Sequence, residues 1–137
     1  MSADTATSWW LSTALGDLRT AQALLSDASL PSRAPAQFAH QAAEKALKAA
    51  IASTGTEPTR THDLVYLALR GGRDLELALA RIDVATLSAV LARSRYPTHS
   101  DPPISPDDAI KWVDAASQVV AACARHCKVP LESLHVA

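Results

Sequence analysis

The side chains best suited to chemistry lie between residues 93 and 101 of this 137-residue chain. Arg93, Arg95, Tyr96, His99 and Asp101 all fall within these nine positions. Histidine transfers protons near neutral pH, and an arginine guanidinium stabilises negative charge, above all on phosphate oxygens. This segment is therefore the first candidate for a catalytic or anion-binding site.

The predicted position of Arg95 on a helix adds to its interest. If Val84–Arg95 is helical, Leu87, Leu91 and Arg95 follow one another at intervals of four and share the apolar face. A guanidinium on the buried side of a helix is costly unless it is paired or opens onto a polar pocket. We therefore expect Arg95 to face the interior and Arg93 to point away from it.

Pro97 predicts where this helix ends, because proline biases the preceding residue, Tyr96, away from the α-helical region. The loop that follows can turn His99 and Asp101 back towards the guanidinium of Arg95. An alternative stays open. Basic residues are common at helix C-termini, where they cap carbonyl groups and offset the helix dipole, so the whole cluster can be structural.

Composition favours an all-α protein, since only 4% of the residues are aromatic and only four are glycine. We predict an up-and-down bundle of four to five main helices with a short extra helix. A chain of 137 residues is long enough for one domain with its own core. We place that core at about 8–128 of a single domain spanning 1–137, with a tail at 129–137.

Charge and hydropathy limit the possible partners. The net charge of −1 gives no general basic field, so any nucleic-acid contact must come from a local patch. The N-terminus does not read as a secretory signal, and no stretch approaches the roughly 18 apolar residues of a membrane span. We expect a cytoplasmic protein without membrane contact.

Start and stop signals define the helices. Serine, threonine and aspartate are favoured N-caps, and glycine or proline commonly follows a helix. We predict helices at about 8–26, from near Pro35 to Gly55, from His62 to Gly71, at 73–80, at Val84–Arg95, and from Pro106 to about Lys128, with N-caps at Thr61, Asp83 and Ser105.

The last predicted helix has an unusually broad apolar surface. Such a width suits either central packing or a dimer seam, and we predict a homodimer whose contacts include this helix. One face carries Ile110, Val113, Ser117, Val120, Ala124 and Cys127, and a second carries Trp112, Ala116, Val119 and Cys123.

Cysteines and histidines give little sign of a metal site. Cys123 and Cys127 lie four residues apart on a predicted helix, where a disulfide is unfavourable, so we expect reduced thiols. His126 lies beside them, but a zinc site needs more ligands than this cluster supplies. We predict no metal.

Three further residues are candidate ligand-binding groups. His40 and Lys45 can line a phosphate site, although His40 can equally be a partly exposed partner of Glu44, four residues along the helix. His62 lies in the first turn of a predicted helix, so its role can be structural or ligand-binding. The residues alone leave these alternatives open.

Three motifs together resemble the HEPN domain family, the higher eukaryote and prokaryote nucleotide-binding domain. They are FAHQAAEKALK at 38–48, THDL at 61–64 and RYP at 95–97, and the resemblance covers about residues 9–125. In nuclease-type members an arginine and a nearby histidine act on RNA, usually across a dimer interface. The resemblance therefore implies a metal-independent RNase site, without a cofactor, at Arg95 or Arg93 with His99 and Tyr96.

The separation of the arginines from His99, and the range of functions in the HEPN family, leave alternatives open for the function of this chain. Arg95 and His99 are separated by three residues and Arg93 and His99 by five, and only the second spacing falls within the family's simplest pattern. Other HEPN proteins bind nucleotides, or pair with a minimal nucleotidyltransferase in a toxin–antitoxin system, and do no demonstrated cleavage. A non-catalytic helical dimerisation module is the third interpretation.

Overall fold

Six α-helices and one 3₁₀ turn form the regular structure of residues 2–136, the part of the chain that the computed structural model describes. The helices are α1 (Ala3–Leu25), α2 (Arg33–Ala52), α3 (Leu64–Arg70), α4 (Arg73–Ala78), α5 (Val84–Arg95) and α6 (Pro106–His126), and the 3₁₀ turn covers Leu131–Ser133. No strand is present in this part of the chain, so the all-α prediction is confirmed. Met1 and Ala137, the ends of the predicted domain, lie outside the described residues. Between residues 2 and 136, every helix is too short or too polar to cross a membrane.

The alanine-rich helix α2 lies at the centre of the bundle, in contact with α1, α3, α5 and α6. Small side chains let neighbouring helices approach closely on several sides at once. Three polar residues of α2, His40, Glu44 and Lys48, are consequently buried. The buried alanines of α2 are Ala36, Ala39, Ala42, Ala43, Ala46, Ala49, Ala50 and Ala52.

Helix α6 uses both of its predicted apolar faces within the subunit. Trp112, Val113, Val119 and Val120 are all buried, whereas Ile110 remains 55% exposed. The broad apolar arc therefore serves central packing, and it is not a surplus left for a dimer seam. The expectation that α6 has more apolar surface than the bundle covers is therefore wrong. The homodimer itself stays a prediction.

Local capping explains most helix starts. Asp83 and Ser105 cap α5 and α6 as predicted, and their side chains accept hydrogen bonds from the backbone N–H groups of Thr86 and Asp108. The prediction for α3 is wrong, because Asp63 rather than Thr61 is the N-cap. The side chain of Thr61 instead accepts a hydrogen bond from the N–H of Asp63, before the helix begins.

Two helices begin earlier than predicted. Helix α1 starts at Ala3 rather than near residue 8, because Ser2 caps it by accepting a hydrogen bond from the N–H of Thr5 at 3.1 Å. Helix α2 starts at Arg33, two residues before Pro35. Proline is tolerated in the first turn of a helix, where its missing N–H has no intrahelical partner.

The segment after α6, which we predicted as a tail, is packed against the bundle. Val129, Leu131 and Leu134 contact a small apolar group that includes Leu11 and Ala124. Burial of these side chains holds the segment against α1 and α6.

Candidate functional site

The end of α5 presents Arg95 to solvent. The buried face of this helix runs through Val84, Leu87, Val90 and Ser94, whereas Arg95 is exposed. Each step of four residues advances by about 40° around a helix, so two steps carry Arg95 about 80° past Leu87. The expectation that Arg95 faces the interior is therefore wrong.

An open cleft of about 590 Å³ lies beside Arg95, between the end of α5 and the start of α2. The ring of Tyr96 is 74% exposed at this cleft. In residues 2–136, no carboxylate lies within salt-bridge distance of Arg33 or Arg95. The cleft therefore combines two guanidiniums that can bind an anion with an aromatic ring that can stack. Its lining residues are Arg33, Gln37, Ser94, Arg95, Tyr96 and Pro97.

The neighbouring Arg93 makes contacts with other parts of the chain. Its Nη2 donates a hydrogen bond to the carbonyl of Pro102 at 3.0 Å. Its Cζ also lies 5.8 Å from the ring centroid of Trp112, within the range of a cation–π interaction. Arg93 is half-buried by these contacts and joins the loop after α5 to α6, so the expectation that it points away from the interior is wrong.

The loop after α5 does not bring its carboxylate back to Arg95. Asp101 instead accepts a hydrogen bond from the N–H of Thr98 at 3.2 Å. Asp101 and Arg93 line a second cleft of about 430 Å³, which shares Arg33 and Pro97 with the first. His99 is exposed on the same loop. The two clefts thus adjoin each other through Arg33 and Pro97, and His99 lines neither of them.

A buried carboxylate organises a polar cluster on the same helix as Arg33. Oε1 of Glu44 accepts a hydrogen bond from Nδ1 of His62 at 2.7 Å, and Oε2 accepts one from Nζ of Lys48 at 3.1 Å. The Nζ of Lys48 also lies 5.6 Å from the ring centroid of Trp10. Glu44 is therefore fixed by two cationic or polar partners despite its burial.

His40 also belongs to this cluster, through its contacts with His62 and Glu44. Its Nε2 donates a hydrogen bond to the backbone carbonyl of His62 at 3.1 Å. Its Nδ1 lies 3.8 Å from Oε1 of Glu44 and has no hydrogen-bond partner among the described residues. Burial lowers the pKa of His40, the charge of Glu44 opposes this, and the charges of His62 and Arg95 lower it further. The charge of Arg95 thus acts on His40, one of the four residues, with Glu44, His62 and Lys48, that we call the Glu44 cluster.

Residues 7–126 match the model of a known protein family, the HEPN domain. The chain belongs to the HEPN domain family. No curated protein and no solved structure gives a significant match. The matched residues of the chain, 7–126, include both clefts and the Glu44 cluster.

The HEPN domain does not bring Lys45 and His40 together. Nζ of Lys45 forms an ion pair with Asp17 of α1 at 2.6 Å. His40 is fully buried, so it is not the partly exposed partner of Glu44 that we considered from the sequence. Residues five apart on a helix point about 140° away from each other, which explains the separation.

Arg33 and Gln37 were not predicted as site residues, and neither was the contact of Glu44 with His62, although His40 and Glu44 were expected to share a face of α2. Arg33 and Gln37 line the cleft, and Glu44 contacts both His62 and Lys48. With His40 they follow one another at intervals of three or four, the spacing of one helix face. That periodicity is present in the sequence, where alanines lie between these polar residues.

The two cysteines line neither cleft, and the described residues offer no metal site. Among residues 2–136, no three histidine, cysteine, aspartate or glutamate side chains converge to hold a metal ion. Cys123 and Cys127 are free thiols, and burial raises the pKa of both. A thiol that stays protonated is a poor nucleophile, so neither cysteine is a candidate for catalysis.

Proposed function

We propose that this HEPN domain is a metal-independent ribonuclease in which Arg95 binds a phosphodiester and His99 transfers a proton. The observation that carries the proposal is the open cleft where exposed Arg95 and Arg33 have no carboxylate partner in the described chain. Unpaired arginines at a cleft are suited to phosphate because a guanidinium matches the geometry of two phosphate oxygens.

Tyr96 and the overall charge point to short single-stranded RNA as the substrate. An exposed tyrosine can stack on an unpaired base, which is how proteins commonly hold single-stranded RNA. With a net charge of −1, the protein has no overall positive field to attract a long duplex. Binding should therefore depend on a few contacts within the cleft.

The test is cleavage of a labelled single-stranded RNA in the presence of EDTA. We expect Arg95→Ala to lower the rate by about 10²- to 10³-fold, the usual effect of removing one preorganised charge-stabilising donor. His99→Ala should lower it by about 10²-fold or more, as expected for a proton-transfer group. Far-UV circular dichroism should show unchanged helical content in both variants.

Arg125→Ala is the matched control, because Arg125 is an exposed arginine near the end of α6 and lines neither cleft. Its rate should equal that of the wild type. Cleavage that persists at the full rate in Arg95→Ala and His99→Ala would exclude this site. A larger loss from Arg93→Ala than from Arg95→Ala would assign the phosphate to Arg93 and to the longer spacing from His99.

A second candidate is a nucleotide-binding HEPN protein that pairs with a minimal nucleotidyltransferase in a toxin–antitoxin system. The small extent of the cleft favours it, because two guanidiniums are enough for a nucleotide phosphate. Calorimetry with nucleoside triphosphates distinguishes the candidates. Nucleotide binding that survives His99→Gln, without RNA cleavage by the wild type, would replace the ribonuclease proposal.

We also propose that the protein acts as a homodimer, as the family resemblance implies. The third interpretation, a non-catalytic dimerisation module, predicts no difference between the wild type and the Arg95 and His99 variants with either RNA or nucleotides. The cleavage and calorimetry measurements therefore test all three functions together.

A further inference from the structure

His62 has the geometry of an oriented proton acceptor. Its side chain is 60% exposed, yet Nδ1 is held by Glu44 at 2.7 Å and the backbone carbonyl by His40 at 3.1 Å. Because a carboxylate only accepts hydrogen bonds, the proton of the neutral ring lies on Nδ1. The lone pair of Nε2 is then left for a partner outside the cluster.

The fold places the residues that follow His62 beside the first half of α5. Two residues after His62, the N–H of Leu64 donates a hydrogen bond to Oγ of Ser88 at 3.0 Å. Ser88 and Arg95 lie seven residues apart on α5, so they share a face and are separated by about 10 Å along the helix. His40 contacts the carbonyl of His62 and also feels the charge of Arg95.

We propose that His62, positioned by Glu44, is the general base of the ribonuclease reaction and that His99 is the general acid. This inference rests on the proposed function. Nε2 of His62 takes the proton of the RNA 2′-hydroxyl, and the 2′-oxygen forms a bond to phosphorus. The bond from phosphorus to the 5′-oxygen breaks, and the protonated His99 donates its proton to that oxygen. The products carry a 2′,3′-cyclic phosphate and a 5′-hydroxyl, and water restores both histidines to their starting states.

The charged groups around His62 support the role of a base. The carboxylate of Glu44 fixes the ring tautomer and stabilises the imidazolium that forms when the proton arrives. Lys48 donates a hydrogen bond to the other carboxylate oxygen and so holds Glu44 in place. The charge of Arg95 acts on His40, which donates a hydrogen bond to the carbonyl of His62, and in this proposal Arg95 stabilises the phosphate while His62 takes the proton.

A purely structural role for His62 makes a different prediction. Through Glu44, the side chain of His62 also ties the segment before α3 to α2. If that were its only role, substitution would reduce stability and leave the chemistry of the folded protein unchanged. The test must therefore measure a property that depends on proton transfer itself.

Leaving-group substitution provides such a test. An RNA dinucleotide whose 5′-bridging oxygen is replaced by sulfur has a leaving thiolate that needs no general acid, but its 2′-hydroxyl still needs a general base. We would measure wild type, His62→Ala, His62→Gln, Glu44→Gln and His99→Ala on the oxygen and sulfur substrates. His135→Ala is the histidine control, since His135 is exposed and lines none of the clefts described. Thermal melts would confirm that each variant is folded at the assay temperature.

On the oxygen substrate, we expect His62→Ala, His62→Gln and His99→Ala each to lose about 10²- to 10⁴-fold in rate. Sulfur should restore His99→Ala to near the wild-type rate and should restore neither His62 variant. Glu44→Gln should show a smaller loss that sulfur also fails to restore, which marks it as a positioning residue for the base.

Three outcomes would overturn the assignment. Full-rate cleavage by the folded His62 variants would remove His62 from the reaction and leave the Arg95 and His99 proposal standing. Recovery of His62→Ala on the sulfur substrate would make His62 the acid rather than the base. Failure of the wild type to cleave either substrate would reject the ribonuclease function and this inference with it.

Discussion

Two arginines only two residues apart have opposite roles in this molecule. Arg93 donates a hydrogen bond to Pro102 and lies over Trp112, whereas Arg95 is exposed beside the cleft. Two residues turn a helix by about 200°, so neighbouring arginines can serve different surfaces. Stability and ligand binding should therefore separate cleanly between them.

We predict that Arg93→Ala lowers the free energy of unfolding by about 1–2 kcal/mol, because it removes a charged hydrogen-bond donor and a cation–π contact. Arg95→Ala should change it by less than about 0.5 kcal/mol, as is usual for an exposed side chain. Urea denaturation measures both values. A loss of stability from Arg95→Ala that matched the loss from Arg93→Ala would show that Arg95 has a structural partner.

The buried His40 should make stability depend on pH. Burial lowers the pKa of His40 in the folded state below its ordinary value of 6.5, so below that pH the unfolded chain binds the additional proton. The contribution of His40 to stability is therefore complete above pH 6.5 and is lost as the pH falls towards the folded-state pKa. We expect the free energy of unfolding to decrease from about pH 7 to pH 5.

His40→Gln is the variant that tests this origin, because glutamine has no titratable proton and retains an N–H donor for the carbonyl of His62. The variant should be less stable at pH 7, and its unfolding free energy should decrease less steeply between pH 7 and pH 5. Equal slopes in the two proteins would show that other groups cause the pH dependence.

At the scale of elements, the start of α3 positions the proposed base. Asp63 caps α3 by accepting a hydrogen bond from the N–H of Tyr66 at 3.1 Å. Leu64 is fixed to α5 through Ser88. These contacts order the residues on the C-terminal side of His62, and Glu44 orders its side chain.

We predict that Asp63→Ala lowers stability by about 1 kcal/mol, the usual cost of removing an N-cap. Its carboxylate also meets the positive end of the helix dipole. Thr61→Ala is the matched control and should cost less, because Thr61 contacts only the N–H of Asp63, outside the helix. Thermal unfolding compares the two variants. An equal or larger cost for Thr61→Ala would return the cap to the residue first predicted from the sequence.

At the scale of the whole molecule, the bundle covers nearly all of the apolar surface of α6. The exposed large apolar side chains are distributed over several helices, with Ile110 on α6 at 55% exposure and Leu69 on α3 at 57%. A dimer that uses α6 must therefore do so through the start of this helix rather than through its central faces.

We predict a homodimer with a mass twice the 14.5 kDa of the chain, measured by light scattering at micromolar concentration. Ile110→Glu should shift the mass towards that of a monomer, because a charge buried in an interface without a partner is costly. Leu69→Glu is the control at a similarly exposed leucine on another helix and should leave the dimer intact. A dimer lost only in Leu69→Glu would place the interface on α3, and a monomer at every concentration would exclude the dimer.

The sequence alone determined the features that depend on local interactions. The N-caps at Asp83 and Ser105, the helical composition and the three motifs gave the all-α class, two helix starts and the family. Only the tertiary structure decided which way Arg95 faces and that Glu44 meets His62, eighteen residues away along the chain. Periodicity drifts by about 40° with each step of four, so it cannot fix the direction of a side chain after two turns. Contacts such as Glu44 with His62 depend on how separate helices and loops pack, which no single stretch of sequence encodes.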